Sequence, residues 1–189
     1  MALLGFGLLG LIDDLFGGNS PKGLRGHLKA LTEGRLTTGL LKLTGGLGLS
    51  ICLAFHAVEG AAVWIAMPLV ALCANAMNLL DLRPGRALSF YLPLGAFALW
   101  MPWNAYLWVT AVLLYPFDRA GRWMLGDTGS NLLGASLGAA LLTTPTWSMA
   151  VALISLLALH IVAERKSISE IIDTNPTLRF LDRLTGRRD

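Results

Sequence analysis

The sequence predicts an all-α fold, a polytopic transmembrane helical bundle, and three observations carry that expectation. Hydrophobic residues make up 54% of the 189 positions and charged residues only 14%, against about 25% charged in a soluble globular domain. Apolar stretches of bilayer-spanning length recur along the whole chain, and the mean hydropathy is +0.61. All 15 Lys and Arg residues fall on one side if those stretches alternate in direction. Only helices and closed barrels satisfy backbone groups in lipid, and these runs lack the alternating polar pattern of barrel strands. The reading is therefore a single integral membrane domain over residues 1–189, with an amphipathic cytoplasmic tail at 165–189.

The apolar segments fall at about 1–16, 38–58, 61–81, 86–102, 104–118, 124–143 and 147–163, seven in all. The first is short: Met1 to Ile12 gives about 18 Å of helix against a hydrocarbon core of about 30 Å. Either it continues to Phe16 with Asp13 and Asp14 at headgroup level, or a longer relative has helices in front of it. Lacking a basic n-region, it does not read as a cleavable signal peptide. After Pro21, Lys22, Arg25 and Lys29 share one helix face while Leu24, Leu28 and Leu31 share another, a pattern that suits an interfacial helix or a solvated charged face. The turns at Glu59-Gly60, Met101-Pro102-Trp103 and Thr144-Pro145-Thr146 contain no Lys or Arg. By the positive-inside rule the basic side is cytoplasmic, with Trp100, Trp103 and Trp147 anchoring the opposite interface of an inner or plasma membrane. The net charge of +3 is thus a topology signal and not a sign of nucleic-acid binding. In the tail, Ser167 and Glu170 fit a capping box, Asn175-Pro176 starts a second short helix, and Leu178, Leu181 and Leu184 suit docking on a membrane surface. Cys52 and Cys73 lie in apolar stretches without metal-type spacing and read as buried thiols. His27, His56 and His160 are isolated, and the latter two suit hydrogen bonds between helices.

The chemical signal lies in four carboxylates at one depth. Asp13 and Asp14 end the first segment, Asp81 ends the third and Asp127 begins the sixth. One acid merely marks the end of a span, whereas several around one cleft suggest a cation or phosphate site, because a carboxylate near hydrocarbon must be solvated, paired or metal-bound. Asp127 stands in Met124-Leu125-Gly126-Asp127-Thr128-Gly129-Ser130-Asn131, where glycines permit close approach and a polar run opens a helix, so backbone N–H groups and hydroxyls can meet phosphate while the carboxylate holds Mg2+. Asn75, Asn78 and Asp81 recur at spacing three, which places them on one helix face, for ligand contact or for interhelical hydrogen bonding. Gly134 and Gly138 form a small-residue face for helix packing.

Three motifs, Gly10-Leu11-Ile12-Asp13-Asp14, Asn75-Ala76-Met77-Asn78-Leu79-Leu80-Asp81 and Gly126-Asp127-Thr128-Gly129-Ser130, occur in an order and at a depth that resemble the polyprenyl-phosphate N-acetylhexosamine-1-phosphate transferases, the MraY/WecA-like membrane enzymes of cell-wall biogenesis. The resemblance covers nearly the whole chain. It implies transfer of a sugar 1-phosphate from a UDP-sugar to a polyprenyl phosphate, giving a diphosphate-linked lipid and UMP with Mg2+. It further implies that Asp127 binds the metal, that Asp13 and Asp14 stand beside metal and lipid phosphate as catalytic residues, and that Asn78 and Asp81 stand on the nucleotide side, with Asn75 a further substrate-binding candidate. The partners so implied are the lipid phosphate, the UDP-sugar and the membrane, with a homodimer left open. The chain departs from the family in three places. Leu82-Arg83-Pro84-Gly85-Arg86 replaces the Gly-Leu-Asp-Gly that usually follows Asp81, the stretch Pro116 to Trp123 lacks the usual asparagine and proline, and the histidine-rich cytoplasmic segment has no counterpart. Arg83, Arg86, Arg119 and Arg122 are then candidate diphosphate ligands, although topology alone accounts for them. Two rivals stay open: a non-catalytic membrane protein that kept the fold and lipid-phosphate binding, and an ion transporter, which the clustering of acids at one face disfavours.

Overall fold

The structure, a computed structural model, describes residues 1–18 and 23–186, apart from the side chains of Leu24 and Arg25. The described residues are helical and contain no strand. In chain order the helices are α1 (Ala2–Phe16), α2 (Gly23–Thr32), α3 (Thr38–Ala57), α4 (Val63–Leu80), α5 (Arg86–Ala96), α6 (Pro102–Arg119), α7 (Gly126–Leu141), α8 (Thr146–Arg165), α9 (Ile168–Thr174) and α10 (Pro176–Thr185).

Each of the seven apolar segments falls on a helix, but three helical stretches are long and apolar enough to cross a bilayer by themselves: Thr38–Ala57, Gly60–Leu80 and Thr146–Arg165. The count of seven spans goes beyond what those helices support. The segment expected at 86–102 shows why. Its helix ends at Ala96, about 16 Å long at 1.5 Å per residue, and the apolar residues that follow form a turn before Pro102 starts α6. Asn104 Nδ2 donates to Gly95 O (2.8 Å) and Trp108 Nε1 donates to Leu92 O (2.8 Å). Side chains of α6 thereby hold two carbonyls near the end of α5, and Gly95 O also accepts from Ala98 N (3.0 Å). In the first segment α1 does run on to Phe16, carrying Asp13 and Asp14 within its last turn.

Helix α4 is the axis of the molecule, packed on α3, α7 and α8, while α7 also packs on α1. Ala66, Leu69, Val70 and Ala74 of α4 form one buried cluster with Phe6, Ala54 and Ala135, and Met77 forms a second with Leu88, Tyr91 and Leu133. The α4–α7 contact is made by backbone. A Cβ at Gly134 would lie 2.4 Å from Cys73 O and one at Gly138 2.7 Å from Val70 Cα, so the small-residue face permits van der Waals packing that needs no hydrophobic driving force in lipid. Asn75, at the next turn of α4, donates Nδ2–H to His160 Nε2 on α8 (2.9 Å), while His160 Nδ1 donates to Leu156 O (2.7 Å). Those partners select the Nδ1–H tautomer of a neutral imidazole.

Outward-facing side chains are largely apolar, among them Trp64, Phe90, Trp103, Leu113 and Ile154, as expected where the solvent is lipid. The tail forms the two short helices expected, with Ser167 Oγ accepting from Glu170 N and Asn175 Oδ1 from Thr177 N and Leu178 N. Of the amphipathic pattern before α3, Leu28 and Leu31 are exposed on α2, whereas Lys22 and the Leu24 and Arg25 side chains lie outside the described residues.

The backbone contact at Gly134 yields a test. Gly134→Leu forces α4 and α7 apart and should cost about 3 kcal/mol or more, read as a lower melting temperature and aggregation on size exclusion in detergent. Gly48→Leu, which meets nothing within 4 Å, should leave both readouts unchanged.

Candidate functional site

The acids of α1 and α7 meet because the two helices touch at Gly10, where a Cβ would lie 2.2 Å from Asp127 O. A side chain there would push α1 off the start of α7. One turn beyond, Asp14 receives the Asp127 and Thr128 backbone N–H groups, at 2.9 Å each, and the Thr128 hydroxyl at 2.6 Å. Asp14 therefore caps α7 from another helix, satisfying N–H groups that have no acceptor in α7 itself and placing negative charge at the positive end of its dipole. Gly126, at φ +64, supplies the left-handed turn that aims those N–H groups at Asp14.

Asp13 and Asp127 face a common cation. Lys42, one turn into α3, donates from Nζ to Asp13 Oδ2 (2.6 Å) and to Asp127 Oδ2 (2.5 Å). Thr37 starts α3 by accepting Leu40 N at Oγ1, and its Oγ1 also lies 2.8 Å from His27 Nδ1. Asn78 closes the ring from α4: with its amide set by its neighbours, the nitrogen donates to Asp127 Oδ1 (2.5 Å) and Ser130 Oγ (3.0 Å), and the oxygen accepts from Lys42 Nζ (3.2 Å). Asn131 Nδ2 holds the Asp127 carbonyl at 2.6 Å. Side-chain exposures of 15% for Asp13, 16% for Lys42 and 27% for Asp127 leave the group shielded from bulk water but reachable.

Asp81 lies just beyond the last residue of α4 and is buried, and its Oδ1 has no hydrogen-bond partner. Burial first, and then the neighbouring Asp118 carboxylate, pushes its acid up to about 7. Asp118, near the end of α6, is 2% exposed, and neither of its oxygens makes a hydrogen bond. It also lines a cavity of about 210 Å³ beside Trp123, Met124 and Thr128, where Trp123 stacks on Phe117 with ring centroids 5.0 Å apart.

Of the residues singled out from sequence, Asp13, Asp14, Asn78 and Asp127 are brought together, Asp81 lies behind them and Asn75 turns away to His160. Spacing three advances 300° per step, so Asn75 and Asp81 end about 120° apart around α4. The stripe fans out instead of sharing one face. Of the four candidate diphosphate ligands, Arg119 and Arg122 are exposed, whereas Arg83 Nη2 bonds to Asp173 (3.2 Å) and Arg86 forks onto Asp182 with Nε–Oδ1 2.7 Å and Nη2–Oδ2 3.1 Å. From the sequence alone Lys42 is only a topology charge. The signal for it was its position, an ammonium five residues into an apolar segment, where a charge calls for a partner.

Among the described residues no three His, Cys, Asp or Glu side chains form a ready metal cage. The donor set nonetheless fits Mg2+. Asp13 Oδ2, Asp127 Oδ2 and the Asn78 amide oxygen converge on one cationic atom, an all-oxygen set with few protein ligands that leaves phosphate oxygens and water to complete an octahedron. Comparison with known proteins places the chain beside none of them: no family model, no curated protein and no solved structure matches it.

Proposed function

We propose that this chain is a membrane phosphoglycosyltransferase, which moves a sugar 1-phosphate from a UDP-sugar to a polyprenyl phosphate and releases UMP. The observation that carries the reading is the Asp13–Lys42–Asp127–Asn78 ring, assembled from four helices at the charged end of an apolar bundle. In that reaction an oxygen of the lipid phosphate attacks the phosphorus attached to the sugar. The bond from that phosphorus to the oxygen bridging toward the uridine phosphate breaks, and its electron pair leaves on UMP. Both reactants are anionic, so the chief requirement is positive charge fixed at the reacting phosphates.

Each residue has a part in this. Lys42 holds a full positive charge among Asp13, Asp127 and Asn78, and its ammonium would swing toward an arriving lipid phosphate when Mg2+ takes its place. Asp14 keeps the start of α7 against α1, so its interactions assign it a positioning role. Asn78 orients Asp127 and reports on both acid and ammonium. Asp13, Asp127 and the Asn78 oxygen would hold Mg2+, which when bound neutralises the diphosphate and polarises its oxygens. A phosphate monoester is largely ionised at neutral pH, and no base is required of either aspartate. Asp81 lies on the side of the ring toward the Leu82–Arg86 loop and is the candidate contact for the nucleotide.

In the same proposal the seven apolar helices all lie in the membrane with the charged end cytoplasmic, which places the tail in the cytoplasm. A reporter fused after residue 186 tests this, with labelling from outside intact cells as the contrary result.

A second reading, a non-catalytic protein that retains the fold and binds lipid phosphate, is favoured by one observation. Arg83 and Arg86 are consumed by the tail and are not offered to a nucleotide. The two readings part in a transfer assay with radiolabelled UDP-sugar, undecaprenyl phosphate and Mg2+. Active wild type and an Asp127→Asn variant reduced at least about a hundredfold, yet folded, supports the transferase. A wild type that binds polyprenyl phosphate and makes no product from any UDP-sugar supports the second reading.

Lys42→Met probes the ring without relying on activity. It leaves two carboxylates facing each other and should cost about 3 kcal/mol, in the range for removing one partner of a buried pair. Mg2+ should then raise its melting temperature more than that of wild type, because the position between the acids is open. Equal responses to Mg2+ would show that the acids do not form a cation site.

A further inference from the structure

The two short tail helices present a surface that the transferase reading does not use. Helix α10 is fixed to the bundle through its inner side. Asp182, 8% exposed, takes the bidentate grip of Arg86, which is 5% exposed and also donates to Ser169 Oγ at 3.2 Å. Backbone meets backbone beside it, where a Cβ on Gly186 would lie 2.0 Å from Pro84 O. The rotation of α10 about its axis is thereby set.

What the helix shows outward follows from that rotation. Residues two positions before and after Asp182 lie about 200° around the helix from it, and these are Phe180 and Leu184, 62% and 54% exposed. Leu181, 52% exposed, extends the same face, and no described residue covers it. Arg179 and Arg183 flank this face. Asp182 is the only acid of α10, and its charge is neutralised inward by Arg86, so the outward charge is wholly positive. The sequence continues with Arg187, Arg188 and Asp189, outside the described residues.

The position of the helix says what covers it. Helix α8, one of the three stretches able to cross a bilayer, ends at Arg165, and α9 begins at Ile168. The tail therefore leaves α8 at the membrane surface and is held at the charged end by Arg83 and Arg86. An apolar face with a basic flank at that depth matches the boundary between acyl chains and anionic headgroups.

We propose that α10 is a docking surface for anionic phospholipid, lying in the interface with Phe180, Leu181 and Leu184 among the acyl chains and Arg179 and Arg183 at the headgroups. The inference is independent of the reaction catalysed.

The test uses the full chain in nanodiscs, made of phosphatidylcholine alone or with phosphatidylglycerol. An environment-sensitive bimane is attached at Leu181→Cys in a Cys52→Ala background. Cys73 is buried and stays. Quenching by doxyl-labelled lipid should be at least about twofold higher with phosphatidylglycerol, with emission shifted to the blue, and high salt should reverse both. Arg179→Glu with Arg183→Glu should abolish the difference. Leu184→Cys repeats the measurement at a second exposed position, so that one poorly folding variant does not decide the outcome. Equal quenching in the two lipids, or a label that stays in water in both, would overturn the proposal.

Discussion

Two ionised carboxylates facing each other at the end of an apolar bundle need a cation between them, and here the cation is Lys42. Its ammonium joins α3 to α1 through Asp13 and to α7 through Asp127, and Asn78 adds α4. Much of the fold is arranged to allow this. Gly10 lets α1 reach the start of α7, Gly134 and Gly138 let α7 lie against α4, and Thr37 begins α3 one turn before the lysine. Losing the ammonium would force an acid to protonate, to recruit another cation or to move into water, and each course would pull one helix end from the others. The same dependence makes the ring a place where positive charge is held fixed among four helices.

The tail answers a related constraint. Arg86 is too deeply buried to be solvated, so it needs a fixed anion, and Asp182 provides one with bidentate geometry. The loop from Leu82 to Arg86 packs between α10 and the end of α6, with Pro84 near both Gly186 and Gly121. The arginines of this loop are neutralised by the chain's own C-terminal acids, so their charge is compensated within the chain.

Much of the architecture was legible because apolar segments and basic turns are signals on the scale of a whole helix. Every such segment became a helix, and the tail caps at Ser167 and Asn175 formed where their side-chain chemistry placed them. The end of α5 was not legible, since Phe97 to Met101 is as apolar as the helix before it and a turn there depends on Asn104 and Trp108 of another helix. Asn75 was misplaced for a different reason: spacing three tells which residues are near each other along α4 but not which neighbour each meets, and α8 happens to offer His160. Lys42 was visible as a charge in an apolar run, but its partners lie 29 and 85 residues away, and topology explained it too readily. The roles of the three aspartates differ in a way no motif discloses, for Asp14 is filled by the start of α7 while Asp13 and Asp127 share the ammonium.

The short helices bear on how such a chain can occupy a bilayer. Backbone that turns at membrane depth is tolerated where protein supplies its hydrogen bonds. The turn after α5 is closed by its own backbone bonds, Ala98 N to Gly95 O and Met101 N to Ala98 O, and by side chains of α6, and the buried Tyr91–Asn104–Ser136 group ties α5, α6 and α7 together there. At the other end α1, about 22 Å long, sets Asp13 and Asp14 of its last turn against α3 and α7, while Leu15 and Phe16 stay exposed. Helices shorter than the hydrocarbon core therefore end on protein partners, and the partners of α1 are the acids, amides and ammonium of the ring. A helix end packed against protein must find fixed polar partners there, and the ring supplies them for Asp13 and Asp14 of α1.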